Sequence, residues 1–111
     1  MSKPKYFLYA RKSTEDDDKQ VMSIPAQLVE LREFASRENI EILKEFQESK
    51  SAKTPGRELF DEMMMRLERG EANGIIAWHP DRLARNSIDG GRIIYAVDTS
   101  QIIALRFPTF W

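Results

Sequence analysis

The first half of the chain alternates short apolar blocks with polar ones in a pattern that predicts strand, helix and strand. Residues 5–11 form an apolar run of strand-forming residues, and a polar stretch with no apolar period follows over 12–22. Ser23 as an N-cap and Pro25 in the first turn then predict a helix that ends near residue 38. The apolar positions of 40–46 predict a second strand.

The second half repeats this order. A Pro-Gly turn precedes a predicted helix over 57–70, and the uninterrupted apolar run of 74–78 predicts a strand that is buried on both faces. Asn86 or Ser87 is expected to cap a further helix through about residue 97, in which Gly90 and Gly91 point to close packing or a hinge. A fourth buried strand is predicted over 101–105.

This order predicts an α/β fold, a three-layer sandwich with a mainly parallel central sheet of about four to five strands flanked by helices. The length fits one domain over residues 1–111, and 41% hydrophobic with 32% charged residues is ordinary for a soluble protein. No apolar stretch approaches the ~20 residues of a membrane span, and the first residues do not resemble a signal peptide. We expect a cytoplasmic protein. Because aromatic residues end the chain soon after a core strand, we expect it to be the amino-terminal piece of something longer.

The composition limits the kinds of metal site and ligand that the chain is expected to have. The chain has no cysteine and a single histidine, His79, so we expect neither a thiolate nor a histidine-rich metal site, and no cofactor motif is visible. The net charge of −1 gives no hint of nucleic acid. Basic residues are nevertheless clustered at 11–12, 50–57 and 82–85, and an acidic run occupies 15–18.

Polar side chains follow the first and third predicted strands where each strand ends. In a parallel sheet these ends share one edge, which would gather a hydroxyl, a carboxylate and several guanidinium groups: Ser13, Asp81, Arg11, Arg82 and Arg85, with Arg57 joining from a helix start. Strand alternation places Tyr9, Arg11 and Ser13 on one side. A serine among arginines, without metal ligands, suits attack on a phosphodiester whose oxygens are clamped by guanidinium groups.

Four ordered motifs carry a family resemblance: Tyr-Ala-Arg-Lys-Ser at 9–13, Ser-Ile-Pro-Ala-Gln at 23–27, Glu-Ser-Lys-Ser-Ala-Lys-Thr-Pro-Gly-Arg at 48–57, and Trp-His-Pro-Asp-Arg-Leu-Ala-Arg at 78–85. In order and spacing they resemble the catalytic domain of serine recombinases of the resolvase/invertase family. The longer leader and the Ser-Ile-x-x-Gln pattern resemble the large serine integrases and transposases most. The resemblance covers nearly the whole chain.

The resemblance implies that Ser13 is the nucleophile of DNA recombination and forms a 5′-phosphoserine link. It matches Arg11, Arg57, Arg82 and Arg85 to phosphate-clamping arginines. It matches Asp81 to a carboxylate that positions an arginine or assists proton transfer, and Gln27 to a glutamine that orders the site. It further implies strand exchange and religation without metal or ATP, and DNA-bound dimers that assemble into tetramers.

Two features depart from the family pattern. We expect the long helix that forms the dimer interface and crosses DNA, and any DNA-binding domain, to be missing from these residues, so this chain alone is expected to bind DNA poorly and to be inactive. The acidic run at 15–18 lies beside the nucleophile and would repel DNA unless its loop moves.

Other interpretations stay open. The chain is alternatively a catalytically idle dimerisation or protein-interaction module, or an α/β domain that binds a small phosphorylated molecule. Ser13 in isolation is an ordinary loop serine, Asp81 and Arg82 could form a structural surface pair, and Arg57 could merely decorate its helix. We favour His79 as a loop spacer over a general base, and Tyr9 as packing over chemistry. No residue is identified as the base for Ser13.

Overall fold

The computed structural model describes residues 3–13 and 22–108, and within them it has four strands and four helices. In chain order these are β1 (Lys5–Arg11), α1 (Ile24–Arg37), β2 (Glu41–Glu48), α2 (Glu58–Glu68), β3 (Gly74–Ala77), α3 (Pro80–Leu83), α4 (Ser87–Asp98) and β4 (Ala104–Arg106). The predicted loop over 12–22 lies mostly outside the described residues, as do the acidic run at 15–18 and the last three residues.

The four strands form one parallel sheet in the order β2-β1-β3-β4, which confirms the predicted α/β class with four strands rather than five. The chain leaves β1 and returns in β2, which pairs with one edge of β1, whereas β3 pairs with the other edge of β1. In open parallel sheets, a cleft opens beyond the carboxyl ends of the strands where the order reverses in this way. The carboxyl ends of β1 and β3 therefore lie side by side at the edge of the sheet where a candidate site is expected.

Helices cover both faces of the sheet, as the three-layer prediction requires. Alternate residues of β1 point to opposite faces. Tyr6, Leu8 and Ala10 belong to one core cluster, which is completed by residues of α1. Phe7 and Tyr9 belong to the other cluster, which is completed by residues of α2 and α4. The side of β1 that bears Tyr9 thus faces α2 and α4.

Local signals explain where three segments begin or turn. The Ser23 hydroxyl accepts a hydrogen bond from the Ala26 N–H at 3.2 Å and so caps α1, as predicted. Asn86 rather than Ser87 caps α4, because its side chain accepts from the Asp89 N–H at 2.8 Å. Gly56 has a φ of 100°, a backbone conformation that residues with a side chain rarely adopt, and this fits the predicted Pro-Gly turn.

Two expectations in the last part of the chain need correction. The strand predicted over 101–105 is shorter and later: β4 has three half-buried residues, because it lies at the sheet edge with β3 as its neighbour. Ile102 fills the core from the preceding loop, and Ile103 is exposed. Close packing does not explain Gly90 and Gly91, since a Cβ atom at either position would meet no atom of the described part of the chain within 4 Å.

The helices are also short. Within residues 3–13 and 22–108, none is long and apolar enough to cross a membrane.

Candidate active site

A polar cleft opens at the carboxyl edge of the sheet. It has a volume of about 240 Å³, and Ser13 lies in its wall two residues beyond the end of β1. The rest of the wall comes from the segment between β2 and the start of α2, which adds hydroxyl groups and two cations: Ser49, Lys50, Ser51, Thr54, Pro55, Gly56 and Arg57. Hydroxyl and cationic groups make the cleft suitable for an anion.

Arg11 holds three segments together next to the cleft. Its side chain is buried, and its Nε donates to the Arg82 carbonyl at 3.1 Å, its Nη1 to the Lys50 carbonyl at 3.1 Å and its Nη2 to the Asp81 carbonyl at 2.9 Å. A guanidinium has five N–H donors, so at least three serve the backbone. Arg11 therefore fixes the end of β1 against α3 and the cleft-lining segment.

Gln27 secures the backbone of the same strand end. Its side chain is fully buried in α1, where its Nε2 donates to the carbonyls of Arg11 and Met22, both at 3.0 Å. Its Oε1 accepts from the Arg11 N–H at 3.3 Å. The amide thus satisfies both backbone groups of the last residue of β1 and links that residue to the start of α1.

Arg82 and Asp81 form the β3 side of the site. Arg82 is buried; its Nη1 donates to the Arg11 carbonyl and its Nε to Asp81 Oδ1, both at 3.2 Å. Asp81 is half exposed, and its Oδ1 also lies 3.1 Å from His79 Nδ1. Partial burial raises the pKa of Asp81, but the hydrogen bond and charge of Arg82, with His79, outweigh it and hold that pKa below its usual value. Asp81 is accordingly ionised at neutral pH.

Arg57 is enclosed on three sides. Its guanidinium is 1% exposed, with Nη2 at 3.0 Å from Asp89 Oδ2 and Nη1 at 3.1 Å from the Tyr9 hydroxyl, and its Cζ lies 4.0 Å from the centre of the Phe60 ring. Its Nε and Asp89 Oδ1 are both buried, and neither has a hydrogen-bond partner within residues 3–13 and 22–108. The guanidinium is therefore firmly placed with part of its donor capacity unused.

Glu48 and Tyr9, which the sequence did not single out for chemistry, complete the surroundings of Arg57. The Tyr9 hydroxyl donates to Glu48 Oε1 at 2.6 Å, and the same carboxylate accepts from the N–H groups of Leu59 and Phe60. Glu48 thereby caps α2, whose N-cap residue makes no side-chain cap bond of its own. Burial first, and then the hydrogen bond to Glu48, raises the pKa of Tyr9 far above its ordinary range, so its hydroxyl stays a donor to Glu48.

Asp89 was also missed by sequence reasoning, and Asn86 was predicted only as a possible helix cap. Besides capping α4, Asn86 donates from Nδ2 to Asp89 Oδ2 at 2.8 Å and to the Ala52 carbonyl at 3.1 Å. The Asn-Ser-Ile-Asp spacing at 86–89 resembles a capping box and signals that the two side chains meet. It does not signal that Asp89 also meets Arg57.

The structure therefore brings together most of the predicted site. Ser13 and Arg57 line the cleft. Hydrogen bonds join Arg11 to the other four partners of this edge, namely Gln27, Asp81, Arg82 and the cleft-lining Lys50. Arg85 is different: it is exposed and forms no side-chain hydrogen bond or ion pair with another described residue. Across the described residues, no group of three or more acidic, histidine or cysteine side chains could hold a metal ion.

Comparisons with known proteins agree with the fold. Residues 6–107 match the family described as Resolvase, N terminal domain. The fold is similar to the C-terminal catalytic domain of ISC1926 TnpA, an IS607-like serine recombinase, with a TM-score of 0.75 and 16% identity over 93% of this chain and 66% of that one. It is similar to the N-terminal catalytic domain of TP901-1 integrase, with a TM-score of 0.70 and 20% identity over 88% of this chain and 72% of that one.

A third similar structure is a resolvase family site-specific recombinase from Streptococcus pneumoniae, with a TM-score of 0.70 and 28% identity over 90% of this chain and 69% of that one. The chain thus spans about two thirds of the length of these solved structures. A comparison with curated proteins found none that matches.

Proposed function

The chain belongs to the resolvase N-terminal domain family, and from that premise we propose that it is the catalytic domain of a site-specific serine recombinase, in which Ser13 attacks a DNA phosphodiester. Its fold is that of serine recombinase catalytic domains. The observation that supports the chemistry is the place of Ser13, which lies in the wall of a polar cleft together with Lys50 and Arg57.

In the proposed reaction, the Ser13 hydroxyl loses its proton and its oxygen forms a bond to phosphorus. The bond between phosphorus and the 3′ oxygen breaks, and that oxygen takes up a proton and leaves as a 3′-hydroxyl. The DNA end is then held as a 5′-phosphoserine. One phosphate ester replaces another, so a 3′-hydroxyl of a second strand can attack in the reverse sense and release Ser13 without an outside energy source.

The arginines would stabilise the charge that develops on the phosphate. Guanidinium groups bind two phosphate oxygens at once, and each preorganised donor is typically worth about 3 kcal/mol in the transition state. Burial supports this role for Arg11, Arg57 and Arg82, because charges in a dry environment act more strongly than charges in water. The exposed Arg85 would join them from the loop after α3, on contact with DNA.

Asp81 and Gln27 would act by placing other groups. The lowered pKa of Asp81 makes its carboxylate a weak proton acceptor, which favours orienting Arg82 over taking the Ser13 proton. Gln27 holds the backbone of Arg11, two residues before the nucleophile. The base for Ser13 is left unassigned.

DNA is the proposed partner, through the full-length protein rather than this domain alone. The net charge of −1 provides little phosphate-derived affinity, so the strength of DNA binding would come from other parts of the protein. The active assembly would be a tetramer built from two DNA-bound dimers, working on DNA in the cytoplasm.

The test is covalent trapping. The full-length protein is incubated with DNA duplexes that have random flanks and a sulfur in place of the bridging 3′ oxygen at a fixed position. The 3′-thiol leaves readily and rejoins poorly, so a phosphoserine adduct accumulates. We expect an adduct that resists denaturant and whose tryptic peptide bears the phosphate at Ser13, and we expect Ser13→Ala to abolish it.

Two further variants make the result specific. Ser36→Ala changes an exposed serine of α1 and should leave adduct formation at the wild-type rate. Ser49→Ala changes another hydroxyl of the cleft. An adduct that survives Ser13→Ala but is lost with Ser49→Ala would overturn the assignment of the nucleophile. Absence of any adduct with wild-type protein would favour the idle dimerisation module instead.

A further inference from the structure

Asp89 has no role in the chemistry derived above, yet it is among the most buried charged residues that the structure describes. Its side chain and that of Arg57 are each 1% exposed, and their atoms Oδ2 and Nη2 are 3.0 Å apart. A buried ion pair is a weak source of stability, since removing two charges from water costs about as much as their attraction returns. Stability therefore does not explain why Arg57 and Asp89 are buried as a pair.

The Asp89 carboxylate is also held by Asn86. Asn86 Nδ2 donates to the same oxygen at 2.8 Å, and Asn86 Oδ1 accepts from the Asp89 N–H at 2.8 Å. Asn86 Nδ2 also donates to the carbonyl of Ala52, at 3.1 Å, within the segment that lines the cleft. The position of the carboxylate is thus set by the first turn of α4 and by the cleft wall together.

The guanidinium of Arg57 receives its orientation from Asp89. Its other polar contact is the Tyr9 hydroxyl, which donates to Glu48 and so can only accept from Arg57. That neutral contact and the Phe60 ring restrict the plane of the guanidinium. Asp89 is the carboxylate that bonds it directly, through Nη2. Its Nε is buried and has no hydrogen-bond partner among the residues that the structure describes, so Asp89 supplies the charged contact that orients the group.

We propose that Asp89 is a positioning residue of the recombinase site, which acts on the reacting phosphate through Arg57 by fixing the orientation of that guanidinium. This inference rests on the proposed function. It assigns to the first turn of α4 a part in catalysis that the four sequence motifs do not contain. Asn86 contributes to the same positioning indirectly, because it holds the Asp89 carboxylate.

The test uses Asp89→Asn, which keeps the side-chain volume and removes the charge, in the adduct assay with the full-length protein. We expect adduct formation to slow by about 10- to 100-fold, the range found when residues that orient metal ligands are removed. DNA affinity should change by less than about threefold. Asp61→Asn is the matched control, because Asp61 also pairs with an arginine, Arg92, but on the surface between α2 and α4. It should react at the wild-type rate.

A double-mutant cycle separates positioning from a general loss of structure. In an Arg57→Gln background, Asp89→Asn should slow adduct formation no further, while the melting temperature of each variant is followed in parallel. If Asp89→Asn fails to fold, Asn86→Ala replaces it in the same cycle, and we expect a slowing at the lower end of the same range, about tenfold, because Asn86 is one contact further from Arg57. A rate within threefold of wild type, or an equal slowing with and without Arg57, would overturn the inference.

The same experiment contains the Ser13→Ala variant, which keeps the two proposals apart. An adduct that persists without Ser13 counts against the proposed function. Normal dependence on Ser13 together with indifference to Asp89 counts against the positioning role alone.

Discussion

Replacing Glu48 by glutamine is a sharp test of the polar scaffold around the cleft. The Glu48 carboxylate is 3% exposed and accepts three hydrogen bonds: from the Tyr9 hydroxyl at 2.6 Å, from the Phe60 N–H at 3.0 Å and from the Leu59 N–H at 3.1 Å. Two of these donors are the otherwise unsatisfied N–H groups of the first turn of α2. The side chain thus joins β1, β2 and α2 at the edge where the cleft opens.

The expected cost follows from these contacts. The oxygen of a glutamine side chain can replace only one of the two carboxylate oxygens of Glu48. Its NH₂ group takes the place of the other oxygen, and at least one N–H or O–H group there loses its acceptor. A hydrogen bond to a charged group contributes about 1.5–3 kcal/mol, and a carboxylate at a helix N-terminus about 0.3–1 kcal/mol more. We expect Glu48→Gln to lower the free energy of unfolding by about 2–4 kcal/mol, which corresponds to roughly 10–20 °C in melting temperature for a domain of this size.

Thermal denaturation followed by circular dichroism measures this change, and Glu45→Gln is its matched control. Glu45 lies on the same strand and forms two hydrogen bonds with Arg32 at 2.6 and 2.8 Å, but the Arg32 side chain is 56% exposed. Surface pairs of this kind contribute about 0–1 kcal/mol. If the two variants melt within about 3 °C of each other, the reasoning that burial and helix capping make Glu48 important is refuted.

Two other substitutions test the sheet and the buried hydroxyl. In Gly74→Ala the new Cβ would lie 2.7 Å from the Tyr6 ring, so we expect the free energy of unfolding, measured by urea denaturation, to fall by about 1–3 kcal/mol. Gly91→Ala is the control and should be neutral or stabilising, because its Cβ would meet no described atom within 4 Å. Equal effects of the two substitutions would contradict the packing argument. Burial and the bond to Glu48 raise the pKa of Tyr9 in the folded state. The contribution of Tyr9 to the free energy of unfolding should therefore be fully present below about pH 10. Above about pH 10 the free energy of unfolding should fall by about 1.4 kcal/mol per pH unit, because Tyr9 ionises in the unfolded chain but not in the folded one. Tyr9→Phe should remove that one-proton slope, and an unchanged slope would argue against it.

The elements were predictable where one physical signal dominates. β3 is an unbroken apolar run and is buried throughout, and α1 begins at a serine cap followed by proline. β4 was misplaced because apolar residues reveal burial but not pairing. Ile102 is buried in the core from a loop, while the strand itself begins two residues later at the sheet edge. A one-dimensional pattern contains no information on which strand lacks a second neighbour.

The candidate site divides in the same way. Ser13, Arg11 and Arg82 were expected together because parallel topology brings strand ends to one edge, and the structure brings them there. Nothing in the sequence selected the acidic partners. Glu48 bonds a residue 39 positions away, and Asp89 pairs with an arginine 32 positions away. Such contacts between distant residues depend on how α2 and α4 pack, which local periodicity does not determine.

The contacts of Arg11 explain why the site and the fold cannot be separated. Its guanidinium bonds the carbonyls of three residues in two segments, and its own backbone is bonded by Gln27 and Arg82. A lysine at this position would offer three donors from a single nitrogen, which cannot reach carbonyls spread over a rigid fork. Buried carbonyls that lose their donors cost about 1–3 kcal/mol each, so Arg11→Lys would disturb Lys50 and the β3 end at once. Ser13 lies two residues further on, and its placement depends on that same set of bonds.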